Sequence, residues 1–239
     1  MNNKKKVIVF PHVDRTGGSS IHAWFYPLEK LGCYAIHTGD VKTIDSLEAK
    51  IVGYADTAYI GGHFTLSNYL DSNLSKKFAF TYIFGVVRPT LDRFISMYKL
   101  WKRSPEWMSG LNEKNTNSLD SLYQTLQEHY FNNRLCRTYS SGGTFDSVME
   151  SILTNFSFVG STQRLDLVAQ RLKNDWPELA ENITFNTDLR INVGSNVTDD
   201  ELRGLGLDDG FVDMLIANNL EDQKLIDLVA REGGLLNLK

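Results

Sequence analysis

The chain has 239 residues, of which 42% are hydrophobic and 23% are charged, an ordinary composition for a globular protein. This length suffices for one α/β domain with a full core, and we expect a single domain over residues 1–239. The net charge of −4 provides no basic field that would attract nucleic acid, so any anion site has to be built from local cations. The first apolar stretch, residues 7–10, is too short for a signal-peptide core or a membrane span, and no later stretch reaches spanning length. The two cysteines, Cys33 and Cys136, lack metal-ligand spacing and are typical of a reduced intracellular protein.

The first half of the chain alternates predicted strands and helices. Strands are predicted at residues 6–10, 33–36, 57–60 and 78–87, and helices at residues 19–31, at 44–52 and after Pro89. Residues 78–87 are β-branched and aromatic at successive positions, which is typical of a central parallel strand buried on both faces. Pro27 predicts a kink in the first helix or its early end.

The second half of the chain is predicted to be more helical. Residues 104–118 and 139–144 are predicted loops. Helices are predicted at 119–130, 145–153 and 165–176, and from 197 to 228 with a break near residues 204–210. Short strands are predicted at 156–159 and 182–185. Alternating strands and helices indicate the α/β class, with a mostly parallel central sheet flanked by helices on both faces.

Residues 10–20, with the sequence FPHVDRTGGSS, join the first strand to the first helix. Gly17 and Gly18 let backbone N–H groups approach an anion closely, and the helix start adds the positive end of its dipole. Arg15 adds a fixed positive charge, and hydroxyl donors stand beside it at Thr16, Ser19 and Ser20. This order predicts a phosphate-binding loop. The GxxxxGK[ST] pattern is missing, which disfavours an ordinary nucleoside-triphosphate hydrolase.

A second candidate phosphate site lies in residues 88–96, RPTLDRFIS. Arg88 stands at the carboxyl end of the predicted central strand, where open α/β sheets bind their ligands. Ser96 lies about 10 Å along the helix axis from Pro89, so Arg88 and Ser96 can clamp a phosphate that lies along the helix. Arg93 falls off the apolar stripe of this helix and is predicted to be solvated or paired with an Asp.

Together, the two motifs resemble the nucleotide-binding signatures of sulfotransferases that use 3′-phosphoadenosine 5′-phosphosulfate. The first is similar to the 5′-phosphosulfate loop of that family, PKTGGTS. The second is similar to its 3′-phosphate element, in which Arg and Pro precede the run R-F-x-S. The closer resemblance is to the carbohydrate branch, which includes the heparan and uronosyl 2-O-sulfotransferases. Weaker similarities to that branch follow at residues 59–64, 132–135 and 158–166. The order and spacing of these segments hold over residues 7–170.

This resemblance implies a P-loop-like three-layer fold in one sulfotransferase-like domain, and it gives roles to particular residues. The 5′-phosphosulfate would be bound by Arg15, Thr16, Gly17, Gly18, Ser19 and Ser20, and the 3′-phosphate by Arg88 and Ser96. His63 matches the catalytic base, and His12 and His22 are further candidates beside the loop.

Two departures from the pattern of the family, at Arg15 and Asp14, bear on the chemistry. Arg15 stands where the family usually has Lys; as a catalytic residue it would stabilise the leaving phosphate by hydrogen bonds without donating a proton. Asp14 stands where the family usually has Pro, and its negative charge is unfavourable beside an anion site unless it pairs with Arg15.

The resemblance therefore implies transfer of a sulfuryl group from 3′-phosphoadenosine 5′-phosphosulfate to a hydroxyl group, with adenosine 3′,5′-bisphosphate as the other product. The expected acceptor is a carbohydrate, a glycan precursor or a small molecule. Because a sulfuryl group carries less charge than a phosphoryl group, fixed donors suffice and no metal is expected. We expect no nucleic-acid partner and no stable membrane insertion. Animal carbohydrate members sit behind a membrane anchor, which this sequence does not show, so the expected location is cytoplasmic.

Two other functions remain open from the residues alone. A nucleotide-dependent kinase with an atypical phosphate loop would need a carboxylate for Mg²⁺ at a strand end, where only Asp56 and Asp92 are available. A protein that binds the nucleotide without turnover is the second alternative, and the departures at Asp14 and Arg15 motivate it.

Overall fold

The computed structural model describes residues 6–27, 34–38, 57–104, 118–181, 183–187 and 198–238. Its strands form one sheet in the order β2-β3-β1-β4-β5-β6. Strands β1 to β5 run parallel, and β6 is antiparallel to β5. The strands are β1 (Lys6–Pro11), β2 (Tyr34–Thr38), β3 (Thr57–Gly62), β4 (Phe80–Val87), β5 (Phe156–Ser161) and β6 (Leu235–Asn237).

Helices cover both faces of this sheet. They are α1 (Gly18–Phe25), α2 (Leu66–Asp71), α3 (Thr90–Arg103), α4 (Leu119–Tyr130), α5 (Arg134–Tyr139), α6 (Phe145–Asn155), α7 (Leu165–Asp175), α8 (Pro177–Ala180), α9 (Asp199–Gly204), α10 (Asp209–Ala217) and α11 (Leu220–Arg231). Several begin at a residue whose side chain accepts a hydrogen bond from a backbone N–H group of the first turn, namely Ser118, Thr144, Thr198 and Asp208. Such caps satisfy donors that a helix start leaves without helical partners.

The alternation of side chains along the central strands divides the core into two layers. Val7 and Val9 of β1 pack in the layer formed with α2, α5, α6 and α11, whereas Ile8 and Phe10 pack in the layer formed with α1 and α7. A third cluster joins α3, α4, α9 and α10 around Phe94. The three-layer α/β arrangement and the more helical second half are therefore confirmed.

Most predicted elements are also confirmed, with small shifts at their ends. The first helix ends at Phe25, ahead of Pro27, and the central strand begins at Phe80. The strand predicted at 182–185 is wrong, because residues 183–187 form no strand and the last strand is β6. The helix α5 was not predicted. Its last residue, Tyr139, is also the first residue of the predicted loop 139–144. The predicted helix at 44–52 and residues 105–117 of the predicted loop lie outside the described residues.

The topology brings several loops to one edge of the sheet. Because β1, β3 and β4 are parallel neighbours, the residues that follow Pro11, Gly62 and Val87 emerge together. The chain leaves β1 toward β2 and β3 on one side, and then crosses to β4 on the other side. This reversal between β1 and β4 is the point where open α/β sheets form a ligand crevice.

Candidate functional site

The loop after β1 is held in shape by its own backbone. The His12 N–H donates to the Gly62 carbonyl at 2.7 Å, which fastens the loop to the end of β3. Gly17 has a φ of 82° and Arg15 has a φ of 66°. The left-handed conformation is ordinary for glycine but costs an arginine on the order of 1 kcal/mol, so the surrounding contacts have to maintain it.

Thr16 is fully buried inside this loop. Its hydroxyl and its N–H group donate to the Val13 carbonyl, at 2.8 Å and 3.2 Å. These contacts show Thr16 shaping the loop, so its expected hydroxyl contact with a phosphosulfate stays a prediction.

The helix α1 presents an N-terminus suited to an anion. Gly17 is its N-cap residue and makes no side-chain cap, and the first turn contains no acidic residue. Ser19 and Ser20 lie in this first turn, where backbone N–H groups and the helix dipole favour negative charge. Gly18 opens the helix beneath the ring of His12, and a Cβ built on Gly18 would lie 2.0 Å from His12 Cε1. The close approach of ring and backbone therefore requires glycine at this position.

Replacing Gly18 by alanine should displace either the His12 ring or the start of α1. We expect a loss of about 1–3 kcal/mol in the free energy of unfolding, the usual cost of overpacking. Chemical denaturation measures this loss. Gly204→Ala is the matched control, because a Cβ at Gly204 meets no atom within 4 Å and the residue ends a helix. Equal stability of the two variants would contradict the packing of His12 on Gly18.

The two predicted phosphate motifs meet at Arg15 and Ser96. Arg15 Nε donates to Ser96 Oγ at 2.9 Å, and Arg88 Nη1 donates to the Arg15 carbonyl at 3.1 Å. Ser96 is itself buried on the inner face of α3. Hydrogen bonds thus join the segments at residues 10–20 and 88–96 where the chain reverses direction between β1 and β4.

Three arginines determine the electrostatics around this contact. Burial lowers the pKa of Arg15, and the positive charges of Arg88 and Arg103 lower it further, while Asp14 acts in the opposite direction. A cation in this environment is destabilised by its neighbours, and a bound anion would relieve that repulsion. Arg103 was not singled out from the sequence. Its spacing of seven residues from Ser96 places both on one face of α3, and that spacing is the signal that could have found it.

His63 follows β3 directly and lies at the same edge of the sheet. Its Nδ1 atom is 3.1 Å from the His12 carbonyl oxygen and 3.4 Å from Asp14 Oδ1. The side chain is 30% exposed, so part of the ring is open to solvent. The structure pairs Asp14 with His63, whereas the sequence suggested a pairing of Asp14 with Arg15.

The other two candidate histidines are more deeply buried. His22 lies beneath the loop with Nδ1 2.6 Å from the Tyr59 hydroxyl. His12 stacks on Phe10 with ring centroids 5.4 Å apart. These contacts are those of packing residues and favour His63 among the three as the group that meets a substrate.

The helix α3, which carries Ser96, is held in place by the last helix of the chain. Thr90 Oγ1 donates to Gln223 Oε1 at 3.1 Å, and Arg93 Nη2 lies 3.7 Å from Asp222 Oδ2. The prediction of a solvated Arg93 is wrong, because the side chain is 1% exposed; the alternative, an Asp-paired charge, is confirmed. Within the described residues its guanidinium makes no hydrogen bond, and the ring of Phe131 lies 4.9 Å away.

Asp222 and Asn133 fasten the starts of two helices to each other. The Asp222 carboxylate accepts hydrogen bonds from the N–H groups of Leu135 and Cys136 in α5, at 3.0 and 2.9 Å. In return, Asn133 Oδ1 accepts from the N–H groups of Glu221 and Asp222 in α11, at 2.9 and 3.2 Å. We call these contacts, together with Arg93, the Asp222 cluster. Through Arg93 and Asp222, they link α3 to α11 and α5.

Across the described ranges, no three His, Cys, Asp or Glu side chains gather as a group that could hold a metal ion. Asp92 lies in the first turn of α3, and Asp56 is outside the described residues. None of the helices described combines the length and the apolar character needed to cross a membrane.

No protein-family model matches the chain, and no curated protein matches it either. Among solved structures, the chain is similar to the mouse sulfotransferase SULT7A1 complexed with PAP, with a TM-score of 0.47 and 12% sequence identity. The similarity covers 95% of this chain and 89% of that chain. A likeness at this level assigns no activity, so the functional conclusion rests on the geometry of the site.

Proposed function

We propose that this protein is a sulfotransferase that moves a sulfuryl group from 3′-phosphoadenosine 5′-phosphosulfate to a hydroxyl group. The observation that carries the proposal is the contact between Arg15 and Ser96, which joins the loop after β1 to the segment after β4. A nucleotide with phosphates at both its 5′ and 3′ positions needs two such anion sites within one crevice. A nucleoside triphosphate has phosphates at one end only.

Each end of the nucleotide has its own set of groups in this proposal. Gly17, Gly18, Ser19 and Ser20 hold the 5′-phosphosulfate at the start of α1, where backbone N–H groups and the helix dipole favour an anion. Arg88 and Ser96 hold the 3′-phosphate. Arg15 lies between the two groups and stabilises the charge that develops on the departing phosphate oxygen.

The acceptor side of the reaction is assigned to His63. As the acceptor oxygen forms its bond to sulfur, the bond from sulfur to the 5′-phosphate oxygen breaks and the hydroxyl proton passes to the imidazole. A general base of this kind contributes on the order of 10²–10⁴-fold. We propose a carbohydrate, a glycan precursor or a small molecule as the acceptor, a single domain over the whole chain, and a cytoplasmic location.

A thermal-shift titration separates this proposal from the kinase alternative. Adenosine 3′,5′-bisphosphate at about 100 times its Kd should stabilise the fold by about 2.7 kcal/mol, which corresponds to a Tm increase of roughly 5–10 °C. ATP with Mg²⁺ should give no comparable shift. The opposite ranking would favour a kinase. Transfer of labelled sulfate to a panel of glycans then separates an enzyme from a binding protein without turnover.

Replacing Arg88 by alanine should weaken binding of adenosine 3′,5′-bisphosphate by about 1.5–3 kcal/mol, because a charged hydrogen bond to the 3′-phosphate is lost. Titration calorimetry should therefore show roughly a 10–150-fold higher Kd. Arg203→Ala, at an exposed position of α9, is the matched control and should leave the Kd unchanged. An unchanged Kd in Arg88→Ala would remove Arg88 from the site.

A further inference from the structure

The neighbouring strands β1 and β3 bring an acidic side chain against the candidate base. Asp14 lies in the turn after β1, and His63 is the first residue after β3. The register pairs Pro11 with Gly62, so the two loops leave the sheet side by side. The side chains of His63 and Asp14 are 30% and 23% exposed, so both are partly open to solvent.

Two oxygens beside the His63 ring indicate which of its nitrogens carries the proton. The His12 carbonyl and the Asp14 carboxylate lie 3.1 and 3.4 Å from Nδ1, and both oxygens are acceptors only. A hydrogen bond to either requires a proton on Nδ1. The neutral ring is then the Nδ1–H tautomer, with the lone pair on Nε2.

Two arginines also lie within the influence of the Asp14 charge. That charge acts to raise the pKa values of Arg15 and Arg93, whereas burial, the larger effect, lowers both. Asp14 is thus a carboxylate set among cations, which offsets its closeness to an anion site.

We propose that Asp14 is a positioning residue that, together with the His12 carbonyl, holds His63 as the Nδ1–H tautomer and so leaves Nε2 to accept the proton. This inference rests on the proposed function for its catalytic consequence, although the tautomer can be observed without turnover. The resembling family usually has proline at this position, so the pairing is a feature of this chain rather than one implied by the resemblance.

The test combines nitrogen NMR with kinetics. In ¹⁵N-histidine-labelled protein, the His63 signals are identified by their loss in His63→Ala. They should show a protonated Nδ1 and an unprotonated Nε2 in the neutral ring. Asp14→Ala removes one of the two acceptors beside Nδ1, so part of the population should shift toward the Nε2–H tautomer. We expect kcat to fall by about 10–100-fold, the loss seen when a carboxylate that orients a metal-bound histidine is removed.

The remaining readouts separate positioning from a general structural effect. The Kd for adenosine 3′,5′-bisphosphate should be unchanged or lower in Asp14→Ala, because a negative charge has left the site. Asp14→Glu should restore the Nδ1–H signals and part of kcat. Asp213→Ala, at an exposed position of α10, should match the wild type in every measurement.

An unchanged Nδ1–H population in Asp14→Ala overturns the proposal, whatever the turnover. A failure of the proposed function looks different. The protein would then neither bind the bisphosphate nor transfer sulfate, while the His63 tautomer would still respond to Asp14.

Discussion

Replacing His63 by alanine is expected to lower sulfuryl transfer by about 10²–10⁴-fold, since the acceptor hydroxyl loses the group that takes its proton. The affinity for adenosine 3′,5′-bisphosphate should stay the same, because His63 contacts the loop through Nδ1 and is not assigned to either phosphate. The expected signature is therefore a low kcat with an unchanged Kd. Transfer of labelled sulfate and titration calorimetry measure the two quantities.

His129→Ala is the matched control for this variant, because His129 lies at an exposed position of α4. It should retain full turnover. Equal turnover in His63→Ala and wild type would exclude His63 as the base, and His12 would become the next candidate. A loss of bisphosphate binding in His63→Ala would instead mean that the ring maintains the loop after β1.

The second large effect is expected on stability, at the Asp222 cluster. Asp222→Ala leaves the buried Arg93 guanidinium without its counter-charge and removes the acceptor for two N–H groups of α5. Breaking a buried ion pair from one side costs about 3–5 kcal/mol in the free energy of unfolding. Denaturant unfolding measures this loss, and α3 should shift enough to weaken bisphosphate binding as well.

Two variants make this prediction specific. Asp222→Asn keeps an oxygen for one backbone donor but removes the charge, so its loss should be smaller than that of Asp222→Ala. Asp227→Ala, at an exposed position of the same helix, should change the stability by less than about 0.5 kcal/mol. A similar small change in Asp222→Ala would show that Arg93 is balanced by other groups.

The sequence predicted the sheet well because its central strands carry a strong local signal. In β4, six successive residues are buried. Its β-branched and aromatic residues at successive positions are typical of a strand covered on both faces. By contrast, β6 has three residues, too few for any periodicity, and its pairing with β5 depends on a chain reversal after α11. The short helix α5 was missed for a related reason, because its start is capped by Asp222 from a distant part of the chain.

The two phosphate motifs were predictable because each is local, a glycine turn before a helix and an arginine after a strand. Their contact through Arg15 and Ser96 was not predictable from spacing, since it depends on β1 and β4 being neighbours. The same holds for Asp14. The sequence places it beside Arg15, whereas the pairing of β1 with β3 brings it to His63. Local chemistry was thus visible in the sequence, and partners across strands were not.

The Asp222 cluster also has a consequence for synthesis on the ribosome. The motif residues Gly17, Arg88 and Ser96 emerge early, but the counter-charge of Arg93 lies on α11, close to the carboxyl end. Until that helix emerges, a nascent chain carries an uncompensated guanidinium in the helix that bears Ser96. Ligand-binding competence should therefore appear late and abruptly during translation, and ribosome-stalled chains that stop before residue 220 should fail to bind the bisphosphate.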